Sequence, residues 1–202
     1  MKRLLITDID TPLGMELLVR FLKQGDEVIA VQSSKETGFK IPKLPSKPLA
    51  VIYWKKSSSL STLNLIIKCK STTNFLDGAL LVNILPGEQS SITELSMSAI
   101  EHVIDNWIKG SLFFIKDFLD YFAKINNGML SVITSLPETN KNSSLFTASF
   151  YSYFENLLST LTRMYKHQDI GIHGFFIKQL KQDSSADAIV KNINEKCYKP
   201  GG

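Results

Sequence analysis

The chain opens with Leu4-Leu5-Ile6, stops at Thr7-Asp8, and from Leu13 repeats apolar residues at Leu17, Leu18, Phe21 and Leu22 until Gly25. That spacing predicts a strand, a tight turn and an amphipathic helix. Val28-Ile29-Ala30-Val31 follows as a short uninterrupted apolar run, the pattern of a strand buried on both faces, so the opening predicts a βαβ unit. Pro42, Pro45 and Pro48 each remove a backbone donor and bias the preceding residue away from helix, which predicts a loop between Ser33 and Leu49 in place of a second helix. Leu49 to Trp54 reads as a third strand, Leu60 to Cys69 as a helix, and Ala79 to Leu85 as a fourth strand ended by Pro86-Gly87.

A long helical stretch from Ala99 to Lys124 draws its apolar faces from Val103, Ile104, Trp107, Ile108, Phe114, Ile115, Phe118 and Phe122, and Asn126-Asn127-Gly128 stops it. Met129 to Ile133 predicts a strand, Phe146 to Tyr165 a helix, Ile170 to Ile177 a strand and Ala186 to Cys197 a last short helix. No internal repeat or linker interrupts the series. Strands alternating with helices across short connections imply an α/β chain, one domain over 1–202, whose parallel sheet carries helices on both faces.

Composition then removes whole classes of function. A chain of 202 residues with 44% hydrophobic and 21% charged residues can bury a core and is not disordered. The formal charge of +4 comes from 23 basic and 19 acidic residues spread along the length, with Lys55-Lys56 and Lys166-His167 as the short basic runs, so no nucleic-acid partner is expected. No apolar run approaches the ~18 residues of a membrane span, and no membrane partner is expected. Cys69 and Cys197 lie far apart without a Cys-x-x-Cys spacing, which points to free thiols in a reducing, cytoplasmic compartment. His102, His167 and His173 lack metal-ligand spacing, and no metal is expected.

Several short segments, in order, resemble the short-chain dehydrogenase/reductase family, whose members are Rossmann-type NAD(P)-dependent oxidoreductases. The family's Thr-Gly-x-x-x-Gly-x-Gly turn falls on Thr7 to Gly14, its Asn-Asn-Ala-Gly on Asn83 to Pro86, its Asn-x-Lys-Gly on Trp107 to Gly110, and its catalytic-serine strand on Gly128 to Ser135. Leu76-Asp77 before the fourth strand and Leu161-Thr162-Arg163 ahead of Gly171-Ile172 add to the likeness. The resemblance implies a doubly wound sheet, shortened around 35–48 and at the end of the chain. It places Thr7, Asp10, Leu13, Gly14, Gln32 and Asn83 around a dinucleotide.

The departures from the family pattern bear on function. Glycines in the turn let backbone N–H groups approach the pyrophosphate at a helix N-terminus. Here Asp8 and Pro12 stand at the first two glycine positions, and Asp8 and Asp10 add negative charge beside a dianionic ligand. One such repulsion at ~5 Å and an effective dielectric of about 20 costs on the order of 3 kcal/mol, so little or no NAD or NADP binding is expected. The same residues also make a sound helix start, with Asp10 or Thr11 as N-cap and Pro12 in the first turn. Gln32 replaces the ribose-holding acid; Lys35 would suit a 2′-phosphate or simply be a solvated loop lysine. Leu85 and Pro86 replace the small Ala-Gly pair.

Family catalysis resembles a proton relay through tyrosine, a lysine four residues later, serine and asparagine, which needs a titratable hydroxyl near a cation. Ser135 matches the serine, but Phe146 falls on the tyrosine, Phe150 on the lysine and Trp107 on the asparagine. Asn106, beside Trp107, could substitute by a register slip. Four residues after the six tyrosines Tyr53, Tyr121, Tyr151, Tyr153, Tyr165 and Tyr198 come Ser57, Ile125, Glu155, Leu157, Asp169 and Gly202, none of them lysine. Ser135 is then a remnant of the site or an ordinary strand-end hydroxyl.

Three functions compete. A non-catalytic binding or assembly subunit would form a homodimer or tetramer through 99–124 and 146–165, because Phe113, Phe114, Phe118, Phe122, Phe146, Phe150, Tyr151 and Phe154 are more aromatics than one subunit is expected to bury. An atypical oxidoreductase would keep NAD or NADP and use Ser135 with another proton donor. A magnesium-dependent phosphatase would use Asp8 as nucleophile and Asp10 as acid/base, with Asp183 and Asp187 as its acidic metal motif.

Overall fold

The structure is a computed structural model that describes residues 1–33, 46–84, 92–135, 145–177 and 182–197, the side chains of 145–147, 182–185 and 196–197 excepted. Six strands alternate with helices in the order the apolar pattern predicts. They are β1 (Arg3–Ile6), β2 (Glu27–Gln32), β3 (Ala50–Tyr53), β4 (Gly78–Ile84), β5 (Gly128–Ser135) and β6 (Ile170–Ile177). All pair in parallel, in the spatial order β3-β2-β1-β4-β5-β6. The order reverses between β1 and β4, and in open sheets of this kind the crevice beyond the strand ends at the reversal is where ligands bind.

The helices are α1 (Pro12–Lys23), α2 (Ser59–Thr72), α3 (Met97–Val103), α4 (Gly110–Ile125), α5 (Leu145–Met164) and α6 (Gln182–Cys197). Strand residues alternate between the two sheet faces, so each face has its own core. Leu4, Ile6, Val28, Ala30, Leu80 and Val82 pack with Leu17, Leu18 and Phe21 of α1 and Ile189 and Ile193 of α6. Leu5, Ile29, Val31, Ala79 and Leu81 pack instead with Leu65 of α2, Phe114, Phe118 and Phe122 of α4, and Phe150 and Phe154 of α5. The chain is thus a doubly wound α/β fold with helices on both faces.

Two local features refine the expected elements. The 99–124 stretch is helical throughout, but Ile104–Lys109 forms a π-helical turn between α3 and α4. The turn leaves none of Ile104–Lys109 fully buried, a shift that apolar spacing alone did not reveal within so continuous a run. Asn126 ends α4 in the left-handed region at φ 48, and Gly128 follows at φ 134 packed against the Phe122 ring, which is why Asn-Asn-Gly stops this helix. The loop expected from Ser33 to Leu49 falls mostly outside the described residues.

The aromatics of α4 and α5 divide between the core and the surface. Phe114, Phe118, Phe122, Phe150 and Phe154 are all buried within the single chain, while Phe113 and Tyr151 are half-buried. Geometry accounts for the buried ones: three helices cover that sheet face, Trp54 beyond β3 meets Phe114 in a tilted contact at 5.4 Å, and Phe114 meets Phe118 at 4.3 Å. The Phe146 side chain lies outside the described residues.

Candidate functional site

The crevice begins where β1 ends. Thr7 is buried, donating its N–H to Leu80 O at 3.0 Å and accepting from Val82 N on Oγ1 at 2.9 Å, which ties the ends of β1 and β4 together. The turn that follows brings the chain into α1. Thr11, and not Asp10, is the N-cap: its Oγ1 accepts from Gly14 N at 3.2 Å and its carbonyl accepts from Met15 N at 2.9 Å. Pro12 stands exposed in the first turn and has no N–H to offer. The amides that would face an anion at this helix entrance are therefore largely absent or already taken. Gly14 survives for packing, since a Cβ there would run into the Asp8 carbonyl.

Asp8 is the residue whose surroundings the sequence did not disclose. Its backbone sits at φ 54, the left-handed region where glycine rests without cost and aspartate is tolerated. Its carboxylate is buried, and Oδ1 lies 2.6 Å from Lys56 Nζ and accepts from Ser33 Oγ at 2.8 Å. Ser33 also donates its N–H to Asp10 Oδ1 at 3.2 Å, so the residue after β2 spans both carboxylates of the turn. Lys56 lies beyond β3 with a side chain only 10% exposed, and its Nζ sits 5.7 Å from the Trp54 ring centroid. Gly110, at the start of α4, fixes the Lys56 backbone: a Cβ there would come within 2.8 Å of Lys56 Cβ. The expected repulsion from Asp8 is corrected accordingly, because Lys56 matches its charge.

The other expected site residues are dispersed around this crevice. Leu13 is buried in the α1 core. Gln32 is half-buried and its carbonyl accepts from Trp54 N at 2.9 Å, which binds β2 to the segment beyond β3. Asn83 is fully buried and faces Ser111 of α4, with Nδ2 3.1 Å from Ser111 Oγ and Oδ1 3.3 Å from it. Trp107 lies in the π-helical turn and donates its indole N–H to Ile84 O at 2.7 Å, closing off the last carbonyl of β4. Ser135 ends β5, fully buried and in register with Ile84 and Ile177. Phe150 is 4% exposed within the core. Asn106 bonds to its own helix, its Nδ2 donating to His102 O at 2.9 Å. Lys35, Leu85 and Pro86 lie outside the described residues.

Among the described residues, nothing gathers the acids into a phosphatase centre. Asp187 is ion-paired with Arg20 of α1, Asp183 has a side chain outside the described residues, and no group of three or more His, Cys, Asp or Glu that could hold a metal occurs among the described residues. No described helix is long and apolar enough to cross a membrane.

The strand order, the crossover helices and a crevice at the β1/β4 reversal define a Rossmann-type doubly wound fold, similar to that of short-chain dehydrogenases. Solved structures agree. A short-chain dehydrogenase from Bacillus anthracis superposes with a TM-score of 0.78 at 14% identity, over 98% of this chain and 89% of that one. Serine dehydrogenase from Escherichia coli gives 0.76 at 16% identity, over 94% and 89%. The 3-ketoacyl-(acyl-carrier-protein) reductase from Brucella melitensis, complexed with NADH, gives 0.73 at 11% identity, over 86% and 74%. At such identities the likeness is one of fold. No family model matches the chain, and no curated protein matches it.

Proposed function

We propose that this chain is a short-chain dehydrogenase/reductase-like protein without hydride-transfer activity, with weak or no NAD(P) affinity, acting as a binding or assembly subunit. The observation that carries this reading is the Trp107 indole bonded to Ile84 O where the family pattern calls for a relay asparagine. Reduction of a carbonyl needs a proton delivered to the oxygen as hydride reaches the carbon. The aligned donor and its cation are Phe146 and Phe150, hydrocarbons that transfer no proton. Ser135, being fully buried, offers a substrate carbonyl no hydroxyl to bind.

The same fold holds NADH in the Brucella reductase. In this chain the turn suits a pyrophosphate poorly, because Pro12 lacks an N–H, Thr11 occupies the amides of Gly14 and Met15, and the Asp8–Lys56 pair fills the approach. Self-assembly would use the outer faces of 99–124 and 146–165, where Leu112 is 38% exposed and Phe113, Tyr153 and Leu157 are half-buried.

Calorimetric titration with NADPH and NADH tests the reading, alongside sedimentation at micromolar protein. No heat at millimolar nucleotide, no turnover of carbonyl or alcohol, and a dimer or tetramer are expected. Nucleotide binding tighter than ~10 μM, equivalent to roughly −7 kcal/mol, with turnover by purified protein would establish the atypical oxidoreductase instead. A monomer would remove the self-assembly.

A further inference from the structure

The geometry points to Asp8 as a resident anion: its carboxylate is this chain's own substitute for a ligand phosphate, held by Lys56, and removing it uncovers a site for a pyrophosphate-bearing nucleotide. The inference rests on the preceding reading that the native chain binds nucleotides weakly, and it names the residue responsible.

Three observations carry it. Asp8 is buried at φ 54, a backbone state a glycine adopts without strain, so the position asks for no side chain on conformational grounds. The carboxylate takes an ammonium at 2.6 Å and a hydroxyl at 2.8 Å on one oxygen, the kinds of donor a phosphate oxygen also accepts from. Its other oxygen, Oδ2, is buried without a hydrogen-bond partner among the described residues. A carboxylate retained only to brace the turn would be expected to satisfy both oxygens, since buried polar atoms nearly always find partners.

The cation is equally pre-set. Gly110 holds the Lys56 backbone by close approach, and the side chain, only 10% exposed, keeps its ammonium 5.7 Å from the Trp54 ring, a setting that holds it at the turn when the carboxylate goes. What then remains beside α1 is the ammonium and the Ser33 hydroxyl, both formerly bonded to the Asp8 carboxylate, and the Asp10 carboxylate, 3.4 Å from the same hydroxyl. Loss of one negative charge at ~5 Å, at an effective dielectric of about 20, corresponds to about a hundredfold in affinity for an anion. Salt lowers this for an accessible site, to not less than about tenfold.

The test is calorimetry on Asp8→Gly with two probes, inorganic pyrophosphate and NADPH, after circular dichroism has established folding. Asp8→Ala, which also removes the carboxylate and the space it fills, serves by the same criteria should the glycine variant fail to fold. A gain of about tenfold or more for both probes, abolished in Asp8→Gly/Lys56→Met, is expected. A folded variant whose affinities stay within about threefold of the native protein overturns the inference, as does a gain undiminished by loss of Lys56. The outcomes separate from those of the preceding reading: tight NADPH binding by the native chain sinks that reading, whereas an Asp8 variant without gain sinks only this one.

Discussion

Replacing Lys56 by methionine strands a carboxylate. Asp8 has a side chain only 4% exposed, and without the lysine its Oδ1 retains the Ser33 hydroxyl while Oδ2 has no described partner. Breaking a buried ion pair from one side costs about 3–5 kcal/mol, because the surviving charge is left uncompensated. The Ser33 bond places this pair at the lower end, about 3 kcal/mol. For a chain of this length that lowers the melting temperature by roughly 6–12 °C, at about 2–4 °C per kcal/mol. The reciprocal change, Asp8→Asn, is milder, since the ammonium left at the turn keeps the Trp54 ring at 5.7 Å and a partly water-exposed side chain. The double variant buries no unpaired charge and recovers to within about 1 kcal/mol of the native protein, a coupling of about 2 kcal/mol or more. Urea unfolding at neutral pH followed by circular dichroism measures all four proteins; tryptophan emission is a poor probe here because Lys56 lies beside Trp54. A loss below about 1 kcal/mol in Lys56→Met, or additive single changes, would show that the pair holds nothing together.

Three further outcomes follow from the same packing. Burial pushes the Cys69 thiol up to about 12, while the unfolded chain ionises it near 9, so the folded state loses stability as pH rises between those values. Cys69→Ala should therefore flatten the decline between pH 8 and pH 10.5 by about 2 kcal/mol in urea titrations, and an unchanged slope would contradict the burial argument. Gly14→Ala forces a methyl into the Asp8 carbonyl and should destabilise by about 2 kcal/mol even after its gain in helix propensity, read as a lower urea midpoint; a stabilised variant would refute the close approach. Trp107→Phe removes the indole donor from Ile84 O and should cost about 1 kcal/mol without restoring turnover, which an activity assay and a melt check together.

Most of the fold was legible because it depends on one-dimensional signals. Uninterrupted apolar runs such as Val28 to Val31 are what strands buried on both faces need, and Asn126-Asn127-Gly128 stops a helix through backbone conformations that few other residues adopt. How the aromatics of α4 and α5 divide was not legible, because a count of side chains along two helices says nothing of the third helix and of Trp54, which pack against the buried ones. The π-helical turn was invisible for a different reason: its signature is a hydrogen-bond shift, not a change in apolar spacing.

The site was half legible, and the missing half is a charge. Asp8 and Asp10 stand two residues apart in sequence, so their repulsion of an anion is obvious from the chain alone. Lys56 belongs to another strand's end and reaches Asp8 only because β3, β2 and β1 are neighbours in the sheet, with Ser33 beyond β2 standing between them. Lys55-Lys56 reads in sequence as a short solvated run, yet Lys55 is exposed while the Lys56 side chain is only 10% exposed, packed by Gly110, the Trp54 ring and Asp8. The physical consequence reverses the first expectation. A bare pair of acids would exclude a phosphate by repulsion and vanish as an obstacle at high salt; a carboxylate already locked to its cation excludes by occupancy, which salt screens little. Nucleotide affinity of the native chain should therefore stay low at any ionic strength, and it is removal of the carboxylate, not added salt, that should raise it.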